Sequence, residues 1–165
     1  MGHYTKLLQL SPEKLAIENR QTLFSRFFRD SSETGNDSII DIDKSREGIL
    51  FLLKGSSESV NQEETYEKLF NGAVIDFPME EGDEVVYHVL TPEEVREIKD
   101  SLIGVDITTL YKNYDPLVMM ASGVYPDIWS YGKESYDYLH SYFIGLRNFI
   151  DKAAQESKAV VVVTT

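Results

Sequence analysis

The sequence predicts an α+β protein in which helices pack on a small mixed β-sheet. Three observations support this class. Apolar residues make up 42% of a 165-residue chain, which is enough for one core. Segments with strand and helix patterns follow one another in irregular order. The regular strand–helix alternation of doubly wound and TIM-barrel folds does not occur. Because the chain has no internal repeat and no long linker, residues 1–165 are expected to form a single domain.

Four segments have the composition of strands. The clearest one ends at Leu90, where apolar residues occupy both alternating faces of a short run. At the end of the chain, Ala159 to Val163 is an unbroken, mostly β-branched run, which is typical of a central strand. The predicted strands lie near residues 4–10, 73–77, 84–90 and 159–164.

Helix signals lie between these strands. Ser11–Pro12 predicts a helix start, and the apolar face that follows continues to about Arg29. Asp43 is the predicted N-cap of a helix that ends near Lys54. Thr91–Glu94 has the form of a capping box. Further helices are predicted over about residues 64–70, 91–102, 108–114, 116–122 and 133–155, with loops over residues 30–37, 56–63 and 124–129.

The composition excludes several classes of site. The chain has no cysteine, so disulfides, thiolate nucleophiles and cysteine-based zinc sites are impossible. The first residues do not have the pattern of a secretory signal, and no apolar run is long enough to span a bilayer. A cytoplasmic location is therefore expected.

The net charge of −12, from 16 basic and 28 acidic residues, repels phosphate backbones and anionic lipids. Neither nucleic acid nor a membrane is expected as a partner. The acidity indicates either solubility or a face for a basic protein partner. Residues 80–100 contain eight acidic and two basic residues, including the run Glu80–Glu84. A run on a glycine-containing turn is more typical of solvated charge than of a catalytic carboxylate pair.

Templates for catalysis and metal binding do not match. The glycines form neither of the common phosphate-binding loops, and no GxSxG nucleophile elbow occurs. The segment from Asp41 starts like a calcium loop, but Arg46 stands where the turn needs Gly and Leu52 where a bidentate Glu is needed. The three histidines form no metal-binding pair. We therefore expect no catalytic residue, no metal site and no cofactor.

Arg46 is one of two features that indicate a binding site. The helical spacing places it on the apolar face that also carries Ile49 and Leu53. An arginine there must reach water along its aliphatic stem or meet a carboxylate or a bound anion. Arg46 is therefore either a structural side chain or an anchor for a ligand or partner.

The second feature is the segment Tyr125–Trp129, which contains the only Trp of the chain. Two aromatic rings and an acid on a loop fixed by Pro126 can form a pocket wall. Alternatively, the segment is a plug that packs the loop against the core, with Asp127 capping a local turn.

An ordered set of landmarks covers nearly the whole chain. It comprises Leu10–Glu13, Asp41–Lys44 before a Leu-rich helix, Tyr87–Val95 and Tyr125–Trp129, followed by a Tyr/Phe-rich helix and a β-branched strand. This set resembles the YfbM-like family of small uncharacterised bacterial proteins. The resemblance implies a single α+β domain and supplies no agreed activity. Family members usually carry Trp where this chain has Arg46, which puts in doubt any family site that depends on that aromatic.

Two functional hypotheses follow. The leading one is a non-enzymatic binding or interaction protein, such as an immunity or stress-associated partner, that presents its acidic surface to a basic protein. The alternative is a small-molecule-binding protein or enzyme with a pocket between the Asp43–Arg46 helix start and the Tyr125–Trp129 loop. The candidate ligand- or partner-binding residues are Asp43, Lys44, Arg46, Tyr125, Asp127 and Trp129.

Overall fold

A computed structural model describes residues 3–29, 38–78 and 85–165 of the chain. In this part of the chain, five strands form one sheet in the order β2-β1-β5-β4-β3. The strands are β1 (Thr5–Leu10), β2 (Ile39–Asp41), β3 (Ala73–Val74), β4 (Tyr87–Leu90) and β5 (Ala159–Thr164). Helices pack on this sheet, so the predicted α+β class is confirmed.

The sheet is antiparallel at every described pair of strands, which corrects the predicted mixed sheet. β5 runs antiparallel to both of its neighbours, with Thr164 opposite Thr5 and Val163 opposite Tyr87. The direction of each strand depends on the path that the chain takes between strands, and that path is not encoded in the strand patterns themselves. The positions of the four predicted strands were therefore readable from composition, whereas their directions were not.

β5 is the central strand, as its β-branched run predicts. Val160 and Val162 belong to the larger hydrophobic core, which the longest helix also lines. Val161 and Val163 belong to a smaller core on the opposite face, together with side chains of an N-terminal helix. A strand that is buried on both faces needs apolar residues at every position, which is the reason for the unbroken run.

The helices of the described residues fall largely where the sequence predicts them. The largest is α8, which spans the predicted residues 133–155. The helices are α1 (Pro12–Leu15), α2 (Arg20–Phe28), α3 (Arg46–Gly55), α4 (Val60–Lys68), α5 (Pro92–Ile103), α6 (Ile107–Lys112), α7 (Pro116–Ala121) and α8 (Lys133–Gln155), with a 3-10 turn at Trp129–Tyr131.

Some predicted helix boundaries were wrong, and one strand was missed. The first helix is divided into α1 and α2 because Asn19 forms a capping box with Thr22 and starts a new helix. The strand β2 was missed, since three residues at a sheet edge carry almost no pattern. α4 begins at Val60, inside the predicted loop, because the Ser59 hydroxyl accepts a hydrogen bond from the Gln62 amide.

Further predictions concern the capping box at Thr91, the role of His88 and two polar segments. The capping box at Thr91 and Glu94 is present in both directions. His88 lies on β4, where its Nδ1 is 2.9 Å from the Gly72 carbonyl oxygen, so the fold gives it a structural partner. The predicted loop at 30–37 and the acidic run at 80–84 lie outside the described residues. Among those that are described, no helix is both long and apolar enough to cross a membrane.

α3 packs closely against α8 and the 3-10 turn at Gly48. A Cβ atom on Gly48 would lie 2.6 Å from Leu139 Cδ2 and 2.7 Å from Trp129 Cη2. Both of these side chains are fully buried. Because a close-packed core has no free volume for them to move into, only glycine allows this separation.

We expect Gly48→Ala to destabilise the protein by up to about 2 kcal/mol. Overpacking a core costs about 1–3 kcal/mol, and the higher helix propensity of alanine offsets about 1 kcal/mol of this. Urea unfolding followed by circular dichroism measures the difference. The matched control is Gly104→Ala, where an added Cβ would be no closer than 3.7 Å to another group. Equal stability of Gly48→Ala and wild type would contradict the close contact.

Candidate functional site

The first turn of α3 and the loop before the 3-10 turn together form a cleft of about 160 Å³. Its lining residues are His3, Lys44, Arg46, Glu47 and Tyr125, and we call it the Tyr125 cleft. Three of the six predicted site residues, Lys44, Arg46 and Tyr125, therefore lie together. The two segments that the sequence singled out separately are neighbours in space.

Asp43 holds the corner between β2 and α3. Its backbone is in the left-handed region, with φ of 51°, which asparagine and aspartate tolerate better than most residues. The Asp43 amide donates to Asp41 Oδ1 at 2.8 Å, and the Tyr138 hydroxyl donates to Asp43 Oδ2 at 3.1 Å. The same hydroxyl accepts from the Lys44 amide at 3.2 Å. These bonds fix the direction in which the chain enters α3.

The prediction that Asp43 is the N-cap of this helix was wrong. α3 begins at Arg46 and its N-cap is Ser45. The Ser45 hydroxyl donates to the Ile42 carbonyl oxygen at 2.6 Å and does not cap the helix. Because the corner at Asp43 needs a left-handed residue, the helix cannot begin until the chain has turned.

Arg46 is held by neutral oxygen atoms. Its guanidinium donates to Asn71 Oδ1 at 2.7 Å and to Thr164 Oγ1 at 3.2 Å. The guanidinium carbon lies 5.7 Å from the centre of the Phe70 ring, at cation–π distance. Burial lowers the pKa of Arg46, and the charge of Glu47 opposes this shift. The side chain thus has structural partners and also lines the cleft.

Lys44 is the second cation of the cleft. Its Nζ lies 5.0 Å from the centre of the Tyr4 ring. The Tyr4 side chain, and after it Tyr125, raise the pKa of Lys44 above its ordinary value. The side chain is therefore an ammonium at neutral pH, and it lies at cation–π distance from the Tyr4 ring.

Glu47 joins the helix to the loop. Its Oε2 accepts a hydrogen bond from the Tyr125 amide at 2.9 Å. On the other side, the Tyr125 ring meets the His3 ring edge-on with centroids 5.4 Å apart. Neither His3 nor Glu47 was among the predicted residues. An acid in the first turn is common in any helix, and an isolated histidine carries no pattern, so the sequence held no signal for either.

Trp129 lies in the core and does not line the cleft. Its ring is fully buried, and Nε1 donates to the Val124 carbonyl oxygen at 2.7 Å. Trp129 therefore packs the loop against the core, whereas Tyr125 forms a wall of the cleft. Each of the two predicted roles is found, at a different residue of the loop. The peptide bond between Tyr125 and Pro126 is cis.

Asp127 is exposed to solvent. It lines a second cleft of about 230 Å³, which we call the Asp127 cleft, together with Met120, Gly123, Val124 and Tyr125. Its carboxylate forms no hydrogen bond with another described residue, so the predicted capping of a local turn is not observed. Tyr125 is shared by the two clefts and separates Asp127 from Lys44 and Arg46.

The acidic helix α5 is largely neutralised by its own neighbours. Glu93 pairs with Arg96 at 3.0 Å, and Asp100 pairs with Lys99 at 3.1 Å. Glu94 pairs with a lysine of α4 at 3.5 Å and caps its own helix. Within the described residues, no cluster of acidic and histidine side chains could hold a metal ion.

We expect the stability difference between wild type and Tyr138→Phe to shrink at high pH. Burial first, and then the charge of Asp43, raise the pKa of Tyr138. Since the folded pKa exceeds the unfolded value of about 10, this contribution is complete below about pH 10 and is lost as the pH rises above it. Removing the bond to Asp43 should cost about 1 kcal/mol at pH 8. Urea unfolding at pH 8 and pH 11 tests this, and an equal difference at both would contradict it.

Comparisons with known proteins agree with this fold. None of the curated proteins compared with the sequence matches it. The chain is similar to YfbM from Escherichia coli, a protein of unknown function, with a TM-score of 0.65, 14% identity, and coverage of 98% of this chain and 99% of YfbM. At 14% identity, the match to YfbM is evidence for the fold and carries no information about function. Residues 1–163 match the family model described as a domain of unknown function, DUF1877. The resemblance to YfbM-like proteins is thereby confirmed, and the chain belongs to the DUF1877 family.

Proposed function

We propose that this protein binds a small molecule in the Tyr125 cleft. The observation that carries the proposal is the convergence of two segments, Lys44–Glu47 and Tyr125, that are about 80 residues apart in the sequence and are joined by the bond between Glu47 and the Tyr125 amide. Ligand sites are typically concave and combine ring or apolar walls with a few polar groups. The cleft has two aromatic rings and three side chains that carry charge.

Binding fits the lining better than catalysis. A catalytic lysine needs a pKa lowered towards neutral pH, whereas the pKa of Lys44 is raised. Glu47 Oε2 accepts a hydrogen bond from the Tyr125 amide, which gives this carboxylate a role in joining the two walls of the cleft. These groups are suited to hold charge in place, and the proposed role is therefore recognition without chemistry.

The acidic-surface hypothesis receives less support from the geometry. It depends on Glu80–Glu84, which the structure does not describe, and on α5, where Glu93, Glu94 and Asp100 already have basic partners. A basic protein docking on α5 would have to compete with these ion pairs. Interaction with a basic protein stays a prediction from the sequence, and the small-molecule cleft is the function that we propose.

A thermal-shift screen against a metabolite library tests the proposal. A ligand at 100 times its Kd should add about 2.7 kcal/mol of stability, which raises the Tm by roughly 5–10 °C in a chain of this size. Tyr125→Ala should reduce this shift because it removes a wall of the cleft. Tyr131→Ala, at a ring that is 68% exposed and does not line the cleft, is the matched control.

Two results would overturn the proposal. In the first, no compound of the library raises the Tm of the wild-type protein at millimolar concentration. In the second, the Tyr125→Ala and Tyr131→Ala variants respond to the same compounds with the same shifts as wild type, which would place the binding elsewhere.

A further inference from the structure

We propose that the ligand of the Tyr125 cleft carries an oxyanion, a carboxylate or a phosphate, which binds between Lys44 and Arg46. This inference rests on the proposed function and adds the chemical class of the ligand. The lining of the cleft contains two cations, Lys44 and Arg46, and the carboxylate of Glu47. A cleft of this kind is unexpected on a chain whose net charge is −12.

Among the described residues, neither cation of the cleft forms a salt bridge with a carboxylate. In the described part of the chain, most ion pairs join surface side chains such as Lys133 and Asp137. No such pair includes Lys44 or Arg46. Removing a charge from water without a counter-charge is costly, and a bound anion would offset that cost for the half-buried Arg46.

Arg46 is pre-organised to bind an oxyanion. Asn71 and Thr164 each accept one hydrogen bond from the guanidinium, which leaves further N–H donors of its planar fork. Contact with the Phe70 ring also restricts the side chain. Because the fork is already oriented, an anion would bind without the entropy cost of ordering a flexible arginine. Carboxylates and phosphates match the spacing of its donors.

The first turn of α3 adds to the positive potential. The N-terminal end of a helix carries a partial positive charge from its free amide groups. No side chain caps α3, since the Ser45 hydroxyl bonds to the Ile42 carbonyl oxygen. An anion beside Arg46 and Glu47 would therefore lie next to an uncapped helix terminus as well as two cationic side chains.

The remaining lining limits the size and shape of the ligand. A cavity of about 150 Å³ holds a molecule of roughly the size of benzene. The Tyr125 cleft, at about 160 Å³, therefore fits an oxyanion with a short organic substituent. The rings of Tyr125 and His3 form the wall against which that substituent would pack. Glu47 would repel a second negative charge on its side, which favours ligands whose charge lies at one end.

NMR titration of the full-length chain tests the inference with defined probes. Sodium benzoate and inorganic phosphate are the anionic probes, and benzamide is the neutral analogue of benzoate, all at constant ionic strength. We expect benzoate and phosphate to shift the backbone amides of residues 44–48 and 125 in a saturable manner. Benzamide should bind at least ten-fold more weakly than benzoate.

Charge-removing variants test whether Lys44 and Arg46 are responsible for anion binding. Arg46→Gln and Lys44→Gln should each weaken benzoate binding at least ten-fold, whereas Arg147→Gln, which removes the same charge on α8, should change it less than two-fold. Arg147 packs on the Phe143 ring outside the cleft. The amide spectrum also reports whether each variant is folded. If Arg46→Gln does not fold, the Lys44→Gln variant still tests the inference.

Different outcomes would contradict the oxyanion inference and the proposed function of the cleft. Equal binding of benzamide and benzoate at residues 44–48 and 125 would overturn the oxyanion inference and leave the proposed cleft intact. Anion-induced shifts dispersed over surface lysines, or unchanged affinity in both charge variants, would also overturn it. If no probe shifts these amides, the inference fails. The proposed function fails as well only if the metabolite screen yields no ligand that depends on Tyr125.

Discussion

The pairing of β5 with β1 and β4 joins the two ends of the chain into one sheet, and the two cores and the cleft depend on it. The side chains of β5 are almost uniform, so sliding the strand by one residue would change little in its hydrophobic pattern. At its end, the Thr5 and Thr164 hydroxyls share a hydrogen bond of 3.0 Å, which a shift of one residue would break. That register also brings Thr164 to the Arg46 guanidinium. The last strand therefore helps to orient the principal cation of the candidate site.

The geometry of the cleft depends on two contacts behind it. The left-handed corner at Asp43, held by the Tyr138 hydroxyl, directs Lys44 and the first turn of α3 to one side of the sheet. Gly48 lets α3 approach the buried ring of Trp129. Trp129 in turn holds the loop so that the Tyr125 amide reaches Glu47. Asp43, Gly48 and Trp129, which do not line the cleft, thus help to set the positions of the residues that do.

The distribution of charge gives this acidic protein two different kinds of surface. On α5, the carboxylates of Glu93, Glu94 and Asp100 pair with nearby lysine and arginine side chains. In the Tyr125 cleft, Lys44 and Arg46 instead have aromatic rings and neutral oxygen atoms as neighbours. A tryptophan at position 46, which the family resemblance leads one to expect, could also pack on Phe70 but would lack the guanidinium donors. An oxyanion site that uses Arg46 would therefore not extend to members with that tryptophan.

The sequence by itself determined the α+β class, the central position of β5, the span of α8 and the capping box at Thr91, because each depends on local periodicity or on a local hydrogen bond. It also identified Arg46, Lys44 and Tyr125 as residues of interest. Only the tertiary structure showed that these three share a cleft, that Trp129 belongs to the core, and that the strand pairs are antiparallel. It also added Glu47 and His3. The residues of the cleft are brought together by packing between segments that are far apart in the chain. Such contacts produce no periodic pattern in the sequence from which they could be predicted.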